Sequence, residues 1–407
     1  MSGADDLILV LNCGSSSIKF ALFERRQPVA RRPLWNGKVD GITGPAPTFG
    51  ETGVPPAPVV LDPAAPYTAA LAHIGARIDQ RRGTRAIGAI GHRIVHGGAR
   101  YFEPVRLDAE VLADLRGYIP LAPLHQPFAL EAVEQLLVQR PGVPQVACFD
   151  TAFHHTVPAV EQMLPLPRAF WERGVRRYGF HGLSYEYQSI ALPERHGELA
   201  RGRVIVAHLG SGASLCGMIG LESVATTMGF SALEGLMMGS RSGSIDPGAL
   251  LYLMQTEKLS PEELGQLLYH DSGLRGVSGI SSDPRELLKL EAEQETARDA
   301  LALYVRRAVR EIGSVMAALG GLDLLIFTAG IGEHNATIRA RICEGLGFLG
   351  VALDPQANLD NAPVISSPAS RITVGVEPTN EEWIAASRSD EVLRAPEWAG
   401  RKTATVC

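Results

Sequence analysis

The stretch Leu7–Glu24, "LILVLNCGSSSIKFALFE", governs the reading of the whole chain. Leu7–Leu11 is an uninterrupted apolar run, the mark of a strand buried on both faces. Ile18–Glu24 is apolar except for Lys19 and Glu24 and reads as a second strand. Gly14 and three consecutive serines join them, so a β-hairpin is expected. Its turn is either plain punctuation or a cradle where backbone N–H groups, hydroxyls and the Lys19 ammonium meet phosphate oxygens. A P-loop is excluded, because that motif carries a second glycine and opens a helix, whereas Lys19 leads into a strand.

The same order recurs far along the chain. "RVIVAHLGSGASLCGMIG", Arg203–Gly220, is again an apolar strand, a Gly/Ser turn and an apolar strand. A repeated supersecondary unit points to two related halves, and two such turns, one per half, can grip a polyphosphate. Ala86–Val95 and Gln145–Phe149 read as further strands, and Phe128–Gln139 as a helix. Asp40–Pro66, rich in Pro and Gly, is expected to be an irregular surface excursion. Thr296–Leu319 carries Leu301, Tyr304, Ala308, Ile312, Val315 and Leu319 on one helical face. It leads into "LDLLIFTAGIGEHN", which reads as a buried strand, a Gly-x-Gly turn and a helix. Strands alternating with helices indicate an α/β protein, and 407 residues indicate two domains.

Composition narrows the function. With 45% hydrophobic and 20% charged residues the chain reads as a soluble globular protein. A net charge of -6 argues against nucleic acid or an anionic membrane as the partner. Five scattered cysteines without a Cys-x-x-Cys pair fit reduced thiols in a cytoplasm and give no zinc signature. The acidic start and the interruption by Asn12 and Gly14 do not make a secretory signal, and no apolar run is long enough to span a bilayer.

Candidate chemistry clusters in short blocks. "GHRIVHGG" sets Arg93 in a strand between His92 and His96, and "GSRSGSIDPG" sets Arg241 in a Gly/Ser loop. Both suit oxyanion binding, although a structural salt bridge is the commoner fate of an arginine. Six of the eleven histidines lie between His92 and His181; His92 and His96 have the His-x-x-x-His spacing but in a predicted strand, so they do not make a helical metal site. His181, in "YGFHGLS", is the one expected to work in a pocket loop. Asp150 ends a strand, where α/β sites collect, and could align a nucleophile or hold hydrated Mg²⁺, or be a plain cap or turn residue. In "VEPTNEEW", Glu381 and Glu382 either open a helix capped by Thr379 or Asn380, or lend a carboxylate to Mg²⁺. Gly330–Gly332 falls short of a dinucleotide fingerprint, so a nicotinamide cofactor is disfavoured.

In order, "LNCGSSSIKF", "GHRIVHGG", "APLHQP", "FDTAFHHTVP", "RYGFHGLS", "HLGSGAS", "MGFSALEGLMMGSRSGSIDP", "FTAGIGEHN" and "PTNEE" resemble the acetate kinases, over Leu7 to about Ala386. The resemblance implies two duplicated actin-like (ribonuclease H-like) α/β domains with a nucleotide cleft. They are expected over 1–150 plus 385–407 and over 151–384. It implies direct in-line phosphoryl exchange between ATP and acetate with Mg²⁺ or Mn²⁺, giving acetyl phosphate and ADP, in a cytoplasmic homodimer. By the same resemblance Ser15, Ser17 and Lys19 lie in the first phosphate region, with Asn12 and Glu381 toward the metal. Arg93 and Arg241 flank the acetate and the phosphoryl group, Asp150 serves substrate and magnesium, and His181 stabilises the transition state. Val95, Leu124 and Phe180, with His125 nearby, hold the acyl group. His208, Gly210, Ser211, Gly212, Asp283, Pro284, Arg285, Gly330, Ile331, Gly332 and His334 belong to the nucleotide site.

The chain departs from the family pattern at several positions. Ser211 and His334 stand where Asn is usual, Tyr185 where His is usual, and Gln126 where Asn is usual. Pro284 replaces a Phe and removes a backbone donor, and Ala232 replaces a Pro of the acyl pocket wall. Rival expectations are a propionate or butyrate kinase and a nonenzymatic actin-like nucleotide-binding protein. A sugar kinase fits less well, because an uncharged hydroxyl acceptor needs a base and not an arginine clamp.

Overall fold

The computed structural model describes residues 6–123 and 125–394. They divide into two compact units, one from residues up to 152 together with 380–394, the other from 153–379. The return to the first unit thus falls at Asn380, ahead of the expected 385, and brings Glu381 with it.

The first unit holds strands β1 (Leu7–Cys13), β2 (Ser17–Glu24), β3 (Trp35–Asp40), β4 (Thr48–Glu51), β5 (Val54–Pro58), β6 (Ile87–Ile94), β7 (Val105–Arg106) and β8 (Gln145–Phe149). They form one sheet ordered β5-β4-β3-β2-β1-β6-β8-β7. The second holds β9 (Arg203–Leu209), β10 (Ala213–Ile219), β11 (Glu222–Thr226), β12 (Leu324–Thr328) and β13 (Thr373–Val376), ordered β11-β10-β9-β12-β13. Within each sheet the same five-strand pattern appears. Two antiparallel pairings, β1–β2–β3 or β9–β10–β11, are followed by two parallel ones, β1–β6–β8 or β9–β12–β13. The echo between the two sequence hairpins is therefore a duplication of whole α/β units.

The parallel strands are buried on both faces, which is why β1, β8, β9 and β12 read as apolar runs. In the first unit Leu7, Leu9 and Leu11 pack with Leu71 and Ile74 of helix Pro66–Arg82 and Leu136 of helix Gln126–Gln139. The opposite face meets helix Glu381–Arg394: a Cβ on Gly91 would lie 2.6 Å from Ser389 Oγ. In the second unit Val204, Val206, Cys216 and Ile326 pack with Tyr185 and Leu192 of helix Gly182–His196. The other face takes helix Glu295–Leu319, where Gly217 leaves room for Val315 and Leu319. Each fully buried aliphatic side chain of this kind contributes roughly 1.5–3 kcal/mol.

Two expectations change. Asp40–Pro66 is not wholly irregular, since β4 and β5 extend the sheet edge from it. Prolines at Pro55, Pro56 and Pro58 are tolerated because β5 is the edge strand and its residues are exposed. Gly330–Gly332 is not a loop but lies inside the short helix Ala329–His334.

Candidate active site

Side-chain alternation builds the first half of the site. Asn12 is the register partner of Arg93 across β1 and β6, and of Lys19 across β1 and β2. Arg93 in turn pairs with Cys148 on β8, and Asp150 follows two residues later on the same face. That face lies beneath helix Glu381–Arg394, as Gly91 and the Cys148–Ala385 contact show. Asn12, Arg93 and Asp150 thus project together from the C-terminal ends of three parallel strands, beside the helix that Glu381 opens.

The contacts are dense. Arg93 Nε donates to Asp150 Oδ1 at 2.8 Å, Nη2 donates to Oδ2 at 2.5 Å, and Nη1 donates to Asn12 Oδ1 at 3.2 Å. Glu381 Oε2 is 3.7 Å from Arg93 Nε. Burial would lower the guanidinium pKa, but the Asp150 and Glu381 carboxylates outweigh it and hold Arg93 above the ordinary arginine range. Burial pushes the Asp150 carboxyl up, against the pull of Arg93. Glu382 is raised by burial and by Glu381, with Lys19 and Arg93 opposing. Asn380 Oδ1 accepts from Trp383 N, so Asn380, not Thr379, caps this helix.

Ser15 lies in the β1–β2 turn, and Ser17 opens β2, where its carbonyl accepts from Gly14 N at 2.9 Å. Lys19 is exposed. Val95 is buried just beyond β6, and His125 precedes helix Gln126–Gln139. Leu124 lies outside the described residues. Gln126 is fully buried and pairs with the His96 backbone, which makes its departure from the family pattern a matter of packing.

The second half is assembled on β9, β10 and helix Gly182–His196. His208 on β9 is the register partner of Ser214 on β10. The His181 ring stacks on His208 with centroids 4.1 Å apart and planes 14° from parallel. His181 Nδ1 is 2.8 Å from Ser214 Oγ, and Tyr185 Oη is 2.5 Å from the same oxygen. His208 Nδ1 is 2.9 Å from Ser184 Oγ, which accepts from Thr379 Oγ1 at 2.8 Å. His181 itself has φ 59°, a left-handed conformation that is uncommon away from glycine and asparagine and tends to collect at functional sites. Gly179, at φ 77°, makes the bend before it possible, because a Cβ there would sit 2.4 Å from the His154 ring.

Gly212 marks where these groups converge. Its Cβ position lies 3.3 Å from His181 Nε2 and 3.5 Å from Arg241 Nη1. Arg241 is steered by the Ala232 carbonyl, at 3.3 Å from Nη1. Gly210 abuts Ala329 and His208 Nε2, while Gly239 stands between Ser282 and Ser211. The Gly210–Gly212 turn, Arg241, the 282–285 segment and the start of helix Ala329–His334 therefore occupy one corner of the second unit. Asp283 caps helix Pro284–Leu290 and binds the Arg285 guanidinium, which holds its carboxyl below the usual range. Pro284 occupies the first helical position, where a missing N–H is not needed. His334 is exposed and lies 3.8 Å from Glu333, and Phe180 is buried.

Several participants escaped sequence reasoning. Ser214, Ser184 and Tyr185 back the two histidines, and Glu333 Oε1 accepts from both Ala329 N and Thr379 N. The signal for Ser214 was its place in the repeated hairpin, directly opposite His208.

The sequence model of the Acetokinase family matches residues 7–387. The chain belongs to this family. It is 49% identical over 388 residues to the acetate kinase of Rhodopseudomonas palustris strain CGA009, covering 94% of this chain and 97% of that protein. It is 44% identical to the acetate kinase of Rhizobium meliloti, covering 96% and 99%. Among solved structures, it resembles the Porphyromonas gingivalis acetate kinase with TM-score 0.85 and 37% identity, covering 95% of this chain and all of that one. It also resembles a propionate kinase from Francisella tularensis, with TM-score 0.87, 34% identity and coverage of 95% and 99%.

Proposed function

We propose that this chain catalyses reversible phosphoryl transfer between ATP and acetate, giving acetyl phosphate and ADP. The observation that carries the reading is Arg93, held by Asp150 and Asn12 at the strand ends of an acetokinase-family protein. A guanidinium oriented by the Asp150 carboxylate, with Glu381 beside it, is a preorganised anion site. An acetate acceptor is already ionised, so no strong base is called for, and catalysis rests on alignment and charge stabilisation. We assign the carboxylate to Arg93, the phosphoryl oxygens to Arg241 and His181, and the nucleotide phosphates to the Gly210–Gly212 turn. Val95, Phe180 and His125 are assigned to the acyl group.

Asn12 and Glu381 offer an amide and a carboxylate oxygen beside Arg93, the hard-oxygen donor set that suits Mg²⁺ or Mn²⁺. Among the described residues no group of three or more His, Cys, Asp and Glu is placed to hold a metal. An ion shared with phosphates and water, on these two residues, is the arrangement we assign. When bound it would neutralise phosphate charge.

A second reading, propionate as acceptor, is favoured by one observation: Ala232 is smaller than the proline that the family pattern implies. We further propose a cytoplasmic homodimer. Cys13, Cys148, Cys216 and Cys343 are buried thiols, in accord with a reducing compartment. Helix Pro247–Gln255 leaves Leu251 and Tyr252 about half exposed, an apolar face suited to a second copy. Among the described residues no helix is long and apolar enough to cross a membrane.

Hydroxylamine trapping tests the activity. Protein, ATP and Mg²⁺ are incubated with acetate, propionate, butyrate or no acid. Hydroxamate is expected most strongly with acetate. A propionate excess would select the second reading, and no hydroxamate with any acid would refute both.

A further inference from the structure

Two hydroxyl chains run behind the stacked histidines of the second unit. Tyr185, Ser214 and His181 Nδ1 form one, and Thr379, Ser184 and His208 Nδ1 form the other. The first is the more deeply enclosed, with Tyr185 and Ser214 fully buried and His181 nearly so.

The Ser214 hydroxyl has one proton to share between two neighbours. If it donates to Tyr185, His181 must carry its proton on Nδ1 and present Nε2 as an acceptor. If Tyr185 donates to it, Ser214 donates to Nδ1 and His181 carries its proton on Nε2. A phenol is a far stronger acid than an alcohol, and an imidazole nitrogen is the best acceptor of the set. The second polarity therefore follows the gradient of acidity along the Tyr185 Oη–Ser214 Oγ contact, which is 2.5 Å long. Nε2 is the edge that borders Gly212, at the point Arg241 also borders.

We infer that Tyr185 and Ser214 are positioning residues that hold His181 as its neutral Nε2–H tautomer. His181 then meets the transferring phosphoryl group as a hydrogen-bond donor and not as a base. This rests on the activity proposed above for its meaning, but the tautomer is a property of the resting protein. An in-line transition state carries its charge on oxygen, and such oxygens require donors.

The test reads tautomer and turnover separately. Full-length protein labelled with ¹⁵N-histidine is examined by NMR near neutral pH, with His181→Asn used only to assign the signals. The expected result is an unprotonated Nδ1 and a protonated Nε2. Tyr185→Phe should lower kcat about tenfold while KM for both substrates changes less than about twofold. Ser214→Ala should mix the tautomers and lower kcat further, and Ser214→Thr should restore both readouts. A protonated Nδ1 in the unaltered protein would overturn the inference. So would Tyr185→Phe and Ser214→Ala proteins with unchanged tautomer and kcat. Unaltered protein that shows the tautomer yet forms no acyl phosphate would overturn the activity and not the relay.

Discussion

Asp150 contributes by what it does to Arg93. Its two oxygens take the Nε and Nη2 donors, which leaves the guanidinium locked in plane and charged. Asp150→Asn keeps the shape but removes the charge and one acceptor. We expect kcat/KM to fall roughly 10²-fold or more, measured by steady-state kinetics with acetate varied; a fall under about threefold would remove Asp150 from this role. Gly179 makes a different demand. With φ 77° and a Cβ position 2.4 Å from His154 Cδ2, Gly179→Ala meets both strain and overlap. Its cost should reach about 3 kcal/mol or more by denaturant unfolding. Of these residues, Arg93 and His181 were legible in the sequence because glycine and histidine neighbours marked them. Tyr185 and Ser214 were not, since a buried tyrosine and a strand serine look like ordinary core until the cross-strand register is known.

At the scale of elements, each sheet uses one device. Polar residues at the ends of inner strands face the first turn of a covering helix: Glu381–Arg394 over Asn12, Arg93 and Asp150, and Gly182–His196 over His208 and Ser214. The hairpins, inner strands and long helices were readable because apolar runs and helical spacing are local signals. Strand β4 and the edge strand β5 in Asp40–Pro66 were hidden, because half-buried and exposed residues make no apolar pattern and an edge tolerates proline. Buried neutral histidines also tie both sheets to pH. Burial lowers His92, bonded to Gln145, to about 4, and His154, bonded to Phe180 and Ser223, to about 4. Unfolded histidines take up protons at higher pH than these do. Stability is therefore full above about pH 6.5 and declines as pH falls toward 4, by roughly 1.4 kcal/mol per pH unit for each. Urea unfolding at pH 7 and pH 5 should show midpoints lower at pH 5; equal midpoints would contradict this.

For the whole molecule, duplication is the organising fact. One five-strand pattern, used twice, gives each unit a hairpin turn of small residues at the end of its first strand. The repeat could be seen in the sequence only at those turns, because the strands that follow share burial and not residues. The proposed second copy adds a test at this scale. Leu251→Glu should shift the protein toward monomer in sedimentation, with melting temperature otherwise little changed, and an unaltered sedimentation coefficient would clear this face. The central claim is that an acyl phosphate is a substrate and that Arg93 grips it. Acetyl phosphate, ADP and Mg²⁺ are mixed with the protein and ATP is read by luciferase. The account predicts rapid ATP formation that is lost in Arg93→Ala protein shown to be folded. No ATP from the unaltered protein, or ATP formed as fast without Arg93, would contradict it.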